Sequence, residues 1–171
     1  MSERFPKDTY VVYGKTGVCC VVDRKVVEFS APGGEEYYVL SPNNDPRSLV
    51  YVPCQNEQLL ARMRPLLSKE EIDTLLDNAC LQPLAWPEDK AERQIVFREM
   101  LSGGDRGELL RLIRCLYEKR QEKQAAGKRL SSADESLLQD SIRLLEQEFS
   151  HSLGLTRSQV AEYIRERLEN K

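Results

Sequence analysis

No stretch of the chain approaches the run of about 20 apolar residues that spans a bilayer, so a membrane partner is not expected. The first residues, MSERFPKDTY, lack a charged segment followed by an apolar run, and neither export nor insertion is expected of them. Cysteine is sparse and odd in number, with five at positions 19, 20, 54, 80 and 115 and no Cys-x-x-Cys pair. That spacing indicates neither a zinc ribbon nor a disulfide framework and fits a reducing cytoplasm. The single histidine, His151, follows a helix-like segment and has no Cys, Asp or Glu at metal-ligand spacing. No Gly-x-x-x-x-Gly-Lys-Ser/Thr loop and no Gly-x-Ser-x-Gly elbow occurs. The chain is therefore read as a non-enzyme without cofactor or metal.

A general excess of positive charge is also missing. The net charge is −3 over 171 residues, so nucleic-acid binding would have to depend on where the charges fall. They are unevenly spread. Residues 86–130 carry 11 Lys+Arg against 8 Asp+Glu, whereas residues 1–85 carry 9 against 12 and residues 131–171 carry 5 against 8.

What is present divides the chain in two. From Thr9 to Pro53, short Val- and Tyr-rich runs (TYVVY, GVCCVVDRKVVEF, EEYYVL, SLVYVP) alternate with Gly, Pro and Asn clusters. This pattern predicts four or five hairpin-connected strands curled into a small Tudor- or SH3-like barrel. Adjacent Cys19 and Cys20 then point to opposite faces as small buried or half-buried thiols. After Cys54, apolar residues recur every three or four positions. Helices are predicted over Asn56–Arg64, Lys69–Asn78 behind a capping box at Ser68 and Glu71, Lys90–Leu101, Arg106–Ala125, Ala133–Ser150 and Arg157–Asn170. Asp105, Ser132 and Thr156 are the expected N-caps, and breaks are expected at Pro65, at Pro83 to Pro87, at Ser102 to Asp105, at Gly127 and at Gly154. The expected fold class is α+β: a β-barrel domain over residues 1–66, a connecting helix or linker over 67–85, and an all-α bundle over 86–171.

The order of motifs resembles a known family. Val11-Val12-Tyr13-Gly14-x-x-Gly17-Val18, Glu36 to Leu40 and Val50-x-Val52-Pro53 are similar to the opening module of CarD and CdnL proteins and to the polymerase-interacting domain of transcription–repair coupling factors. Further on come Trp86, then Phe97-x-x-x-Leu101-Ser102-Gly103-x-Asp105, Glu108-Leu109, Leu112-Ile113-x-x-Leu116-Tyr117, Leu130-Ser131-x-x-Asp134, the run Leu144 to Glu148, and Tyr163-Ile164. The resemblance implies a bacterial transcription regulator that binds the RNA polymerase β subunit and contacts upstream promoter DNA in the minor groove, stabilising the open complex. A monomer on the cytoplasmic nucleoid is expected.

Members of that family commonly place arginines on the polymerase surface, one of them directly before the final Val-Pro, where this chain has Tyr51. The candidate polymerase-binding residues are therefore Arg24, Lys25, Arg47 and Tyr51. The resemblance also implies that Trp86 wedges into the minor groove, where a flat apolar ring offsets an unstacking cost of about a few kcal/mol per step. Its candidate phosphate-binding companions are Lys90, Arg93, Arg111, Arg114, Lys119, Arg120 and Lys123, although Glu108, Glu118 and Glu122 interleave with them. Two other readings predict different chemistry. A protein–protein adaptor would leave Trp86 indifferent to DNA. A thiol enzyme at Cys19 or Cys54 would need a low-pKa cysteine.

Overall fold

The computed structural model describes residues 4–29, 32–42, 45, 47–78, 83–103 and 105–169, with the side chains of 168 and 169 excepted. Cys80, Leu81, Gly104, Asn170 and parts of the turns at 31 and 43–46 lie outside the described residues. The chain separates into two units, Met1–Leu66 and Leu67–Lys171.

The first unit is built on one antiparallel sheet. Its strands are β1 (Tyr10–Tyr13), β2 (Gly17–Val27), β3 (Glu35–Pro42), β4 (Val50–Pro53) and β5 (Met63–Pro65), in the spatial order β4-β3-β2-β1-β5. Period-2 alternation sends Val11, Cys19, Val21, Tyr38, Leu40 and Val52 to one face, where they close over Phe5, Leu60 and Met63. A bulge between Val21 and Asp23 shifts the register with β3 and adds twist to the long strand. At the foot of the β2–β3 hairpin, Gly34 has φ of +85°, and a Cβ there would lie 2.5 Å from Val26 Cγ1. Only glycine fits that turn without displacing Val26.

Two expectations change here. The sheet does not close into a barrel: among the described residues, β4 and β5 are the outer strands and do not pair with each other. The predicted helix over Asn56–Arg64 also shrinks to one turn, α1 (Glu57–Leu60), capped by the Asn56 side chain at 3.1 Å from the Leu59 N–H. The Leu59, Leu60 and Met63 spacing reads as helical, but Met63–Pro65 instead pairs with β1. That pairing is made to residues some fifty positions earlier, and local periodicity carries no trace of it.

The second unit is helical: α2 (Lys69–Asn78), α3 (Lys90–Gly103), α4 (Arg106–Ala125), α5 (Ser132–Leu153) and α6 (Arg157–Glu169). Its core gathers Ile72, Leu76, Phe97, Leu109, Leu112, Leu116, Leu137, Leu138, Leu144, Phe149 and Val160. Because Ile72 and Leu76 are fully buried in it, α2 is part of this unit rather than a free connector.

The helix starts follow their side-chain caps. Ser68 and Glu71 exchange hydrogen bonds at 3.1 Å, Asp105 accepts from Glu108 N–H at 3.1 Å, and Thr156 and Gln159 form a second reciprocal box. For α5 the cap is Ser131, which accepts from Asp134 N–H at 3.2 Å; the helix therefore begins one residue before the expected start, with Ser132 in its first turn. Gly154 ends α5 in the left-handed region at φ of +67°.

Candidate protein and nucleic-acid interfaces

In the sheet unit, the face opposite the core holds an aromatic cluster. Tyr37 and Lys25 are register partners, and Val39 pairs Tyr51 on β4. Tyr51 meets Phe29 edge-on at 5.1 Å and Tyr37 at 6.2 Å, with the Lys25 ammonium 5.9 Å from its ring. Phe29 is 60% exposed. Burial and then the Glu35 carboxylate, to which the hydroxyl donates at 3.3 Å, push the Tyr37 phenol above its ordinary range. Beside this cluster runs the outer edge of β4, whose hydrogen bonds within the sheet are made to β3 alone.

Two of the four sequence candidates thus come together, Lys25 and Tyr51. Arg24 belongs to the other face, over the Tyr38 ring at 5.3 Å and paired with Glu36 at 2.7 Å. Arg47 is 89% exposed at its side chain and holds Asp45 at 3.1 Å, which draws the Asp45 carboxyl below its usual range. Sequence reasoning missed Phe29 and Tyr37 as neighbours of Tyr51. Strand alternation carried the signal for Tyr37, because residues 37 and 39 share a face and Tyr51 lies across from Val39.

In the helical unit, Trp86 is half-buried on the stretch that leads into α3. Its ring meets Phe97 edge-on at 5.8 Å, and two cations lie over it: the Arg93 guanidinium at 4.4 Å and the Lys119 ammonium at 5.3 Å from the ring centroid. The indole is therefore anchored at one side and partly open at another. Lys90 is exposed, and Lys119, Arg120 and Lys123 are half-buried.

Arg93 departs most from its expected place. Only 7% exposed, it grips Asp134 through Nη2 at 3.0 Å and Nε at 3.3 Å. Its guanidinium is directed inward and not toward solvent, because the partner lies on α5, 41 residues later. Arg120 pairs with Glu135 at 3.1 Å, Arg111 with Glu108 at 2.9 Å and Arg114 with Glu118 at 3.0 Å. The cations of α4 do not form one stripe. At about 100° per residue, Arg114 and Lys119 are separated by roughly 140° around the helix, and Arg114 instead lines an apolar groove with Tyr117 and Ile164. The turn after α4 adds a cleft of about 440 Å³ lined by Arg120, Lys128 and Arg129.

The thiols point away from nucleophilic chemistry. Burial and then Cys20 raise Cys19 to about 12, and burial likewise raises Cys20, Cys54 and Cys115. A thiolate is disfavoured at each, against the thiol-enzyme reading. Among the described residues, no group of three His, Cys, Asp or Glu side chains could hold a metal, and no helix is long and apolar enough to cross a membrane.

Comparison with family models matches residues 5–67 to the CarD-like/TRCF RID domain. The sheet unit is a CarD-like domain. The match takes in all five strands and α1, including the Lys25–Tyr51 cluster and the open β4 edge. Among curated proteins, none matches the chain. A CarD-like domain is a protein-interaction module rather than a catalytic one, and its outer β4 edge beside the exposed Phe29 ring is chemically suited to that task.

Proposed function

We propose that the protein is a transcription regulator that holds the RNA polymerase β subunit with its CarD-like domain and touches upstream promoter DNA with the Trp86 region, stabilising the open complex. The observation that carries the proposal is the CarD-like domain itself, in which β4, the strand that holds Tyr51, is an outer strand paired on one side with β3 and, among the described residues, with no strand on the other. A strand of the partner can extend such a sheet: backbone hydrogen bonds supply affinity, and the Tyr51, Tyr37 and Phe29 rings supply selectivity.

The DNA contact rests on the half-open indole and its neighbouring cations. A surplus of three positive charges over residues 86–130 supports weak, salt-sensitive and sequence-independent contact. Tethering to the polymerase raises the effective concentration of this second contact and makes weak intrinsic affinity sufficient. On this reading the protein works as a monomer on the cytoplasmic nucleoid, without a cofactor.

The test separates the two contacts. Trp86→Ala is expected to retain polymerase binding and shorten the lifetime of open complexes several-fold, while Tyr51→Ala is expected to weaken capture of a β-subunit fragment. If adding promoter DNA to the polymerase-bound protein leaves Trp86 fluorescence unchanged, the DNA contact is wrong and the adaptor reading takes its place.

A further inference from the structure

The geometry points to the buried Arg93–Asp134 pair as a positioning device for the Trp86 indole: the ion pair holds one cation over the ring and ties down the backbone that carries it. This rests on the reading of Trp86 as the DNA-facing residue, and it gives Arg93 a different task from phosphate binding.

One guanidinium makes five contacts, four hydrogen bonds and one to the indole ring. Nη2 and Nε donate to the two carboxylate oxygens of Asp134, at 3.0 and 3.3 Å. Nη1 turns the other way and donates to the Pro87 carbonyl at 3.0 Å and to the Glu88 carbonyl at 3.5 Å. The centre of the same planar group lies 4.4 Å from the indole centroid. Arginine alone among the cations has a rigid fork that can engage a carboxylate, a neighbouring carbonyl and an aromatic ring together.

Asp134 is itself held. Its N–H caps onto Ser131, Gln94 donates to Oδ1 at 2.8 Å, and it lies in the first turn of α5, where the helix dipole favours an anion. Asp89 caps the start of α3 by accepting from Glu92 N–H at 2.9 Å. The stretch bearing Trp86 is thus fixed by hydrogen bonds from α3 and, through Arg93, by α5. A wedge residue gains from such fixing because side-chain freedom lost in advance need not be lost on binding.

Since Trp86 is the only tryptophan, its fluorescence reports this geometry without DNA. The double variant Arg93→Met with Asp134→Leu replaces the pair by apolar groups of similar length and leaves no lone buried charge. It is expected to keep native circular dichroism, to at least double acrylamide quenching of Trp86, to lower the indole anisotropy, and to shorten open-complex lifetime several-fold. Arg93→Lys retains the charge pair but loses the fork that reaches Asp134 and the Pro87 carbonyl together. It is expected to shift quenching in the same direction by a smaller amount, and it covers the case in which the double variant does not fold. Wild-type quenching and anisotropy in the folded double variant, or in Arg93→Lys should the double variant not fold, would overturn the positioning role. Altered fluorescence with unchanged open-complex lifetime, in this variant and in Trp86→Ala alike, would keep the positioning role and remove the DNA role of Trp86.

Discussion

Among the described residues, the only buried polar or charged side chain of the sheet unit is Ser41, whereas the helical unit buries Arg93, Arg106, Asp134, Ser141, Gln147 and Glu148. The difference follows from how each unit pairs its backbone. Strands fix their neighbours by a hydrogen-bonded ladder with a definite register, so the CarD-like domain needs only an apolar layer behind it. Helices satisfy their backbones internally and touch one another through side chains that can slide. Two buried ion pairs supply the missing register, Arg93 of α3 with Asp134 and Arg106 of α4 with Glu148. Both acids belong to α5, about four turns apart along one face, so this helix indexes the positions of two others.

That contrast can be broken most severely at Glu148. Its Oε1 lies 2.5 Å from Arg106 Nε, and its Oε2 accepts from the Leu67 N–H at 2.8 Å. Glu148→Ala leaves the Arg106 cation buried without this partner and should destabilise the helical unit by about 3–5 kcal/mol. Chemical denaturation followed by helical circular dichroism reads the loss, and an equal loss in the sheet unit would contradict the division. Next in size, Leu40→Ala in the sheet core, where Leu40 is fully buried, should cost about 3 kcal/mol. Hydrogen exchange should place that loss in β2 and β3 and spare α5. Ser131→Ala should cost about 1 kcal/mol and raise amide exchange at Asp134.

The smallest effect vanishes at neutral pH. With Cys19 raised to about 12 against an ordinary value of 9.0, the unfolded chain gives up this proton first as the solution becomes alkaline. The Cys19 contribution to sheet-unit stability is therefore constant below about pH 9 and is lost as pH climbs toward 12. Replacing Cys19 by Ala should flatten that decline, which a pH series of unfolding midpoints will show.

Capping chemistry made much of the helical unit legible in advance. The Ser68–Glu71 box and Asp105 set the starts of α2 and α4 at the expected residues, because a cap is a contact three residues long. The four longer strands were legible for a similar reason, through Val- and Tyr-rich runs ended by turn residues. Distant partners account for what was missed. Met63–Pro65 is a strand only because β1 is beside it, and Arg93 looks like any surface cation until Asp134 is folded against it. In the site, Trp86 stood out by being alone, but the two cations over its ring lie 7 and 33 positions away along the chain.

The Glu148 contact to the Leu67 backbone has a bearing on synthesis. Every described strand of the CarD-like domain has been synthesised by residue 65, and once clear of the ribosomal exit that domain can fold while the rest is still being made. The helical unit must wait, since the carboxylate that fastens its first residues is translated 81 positions later. A nascent chain stalled before residue 148 would display a finished CarD-like domain attached to helices that cannot yet close.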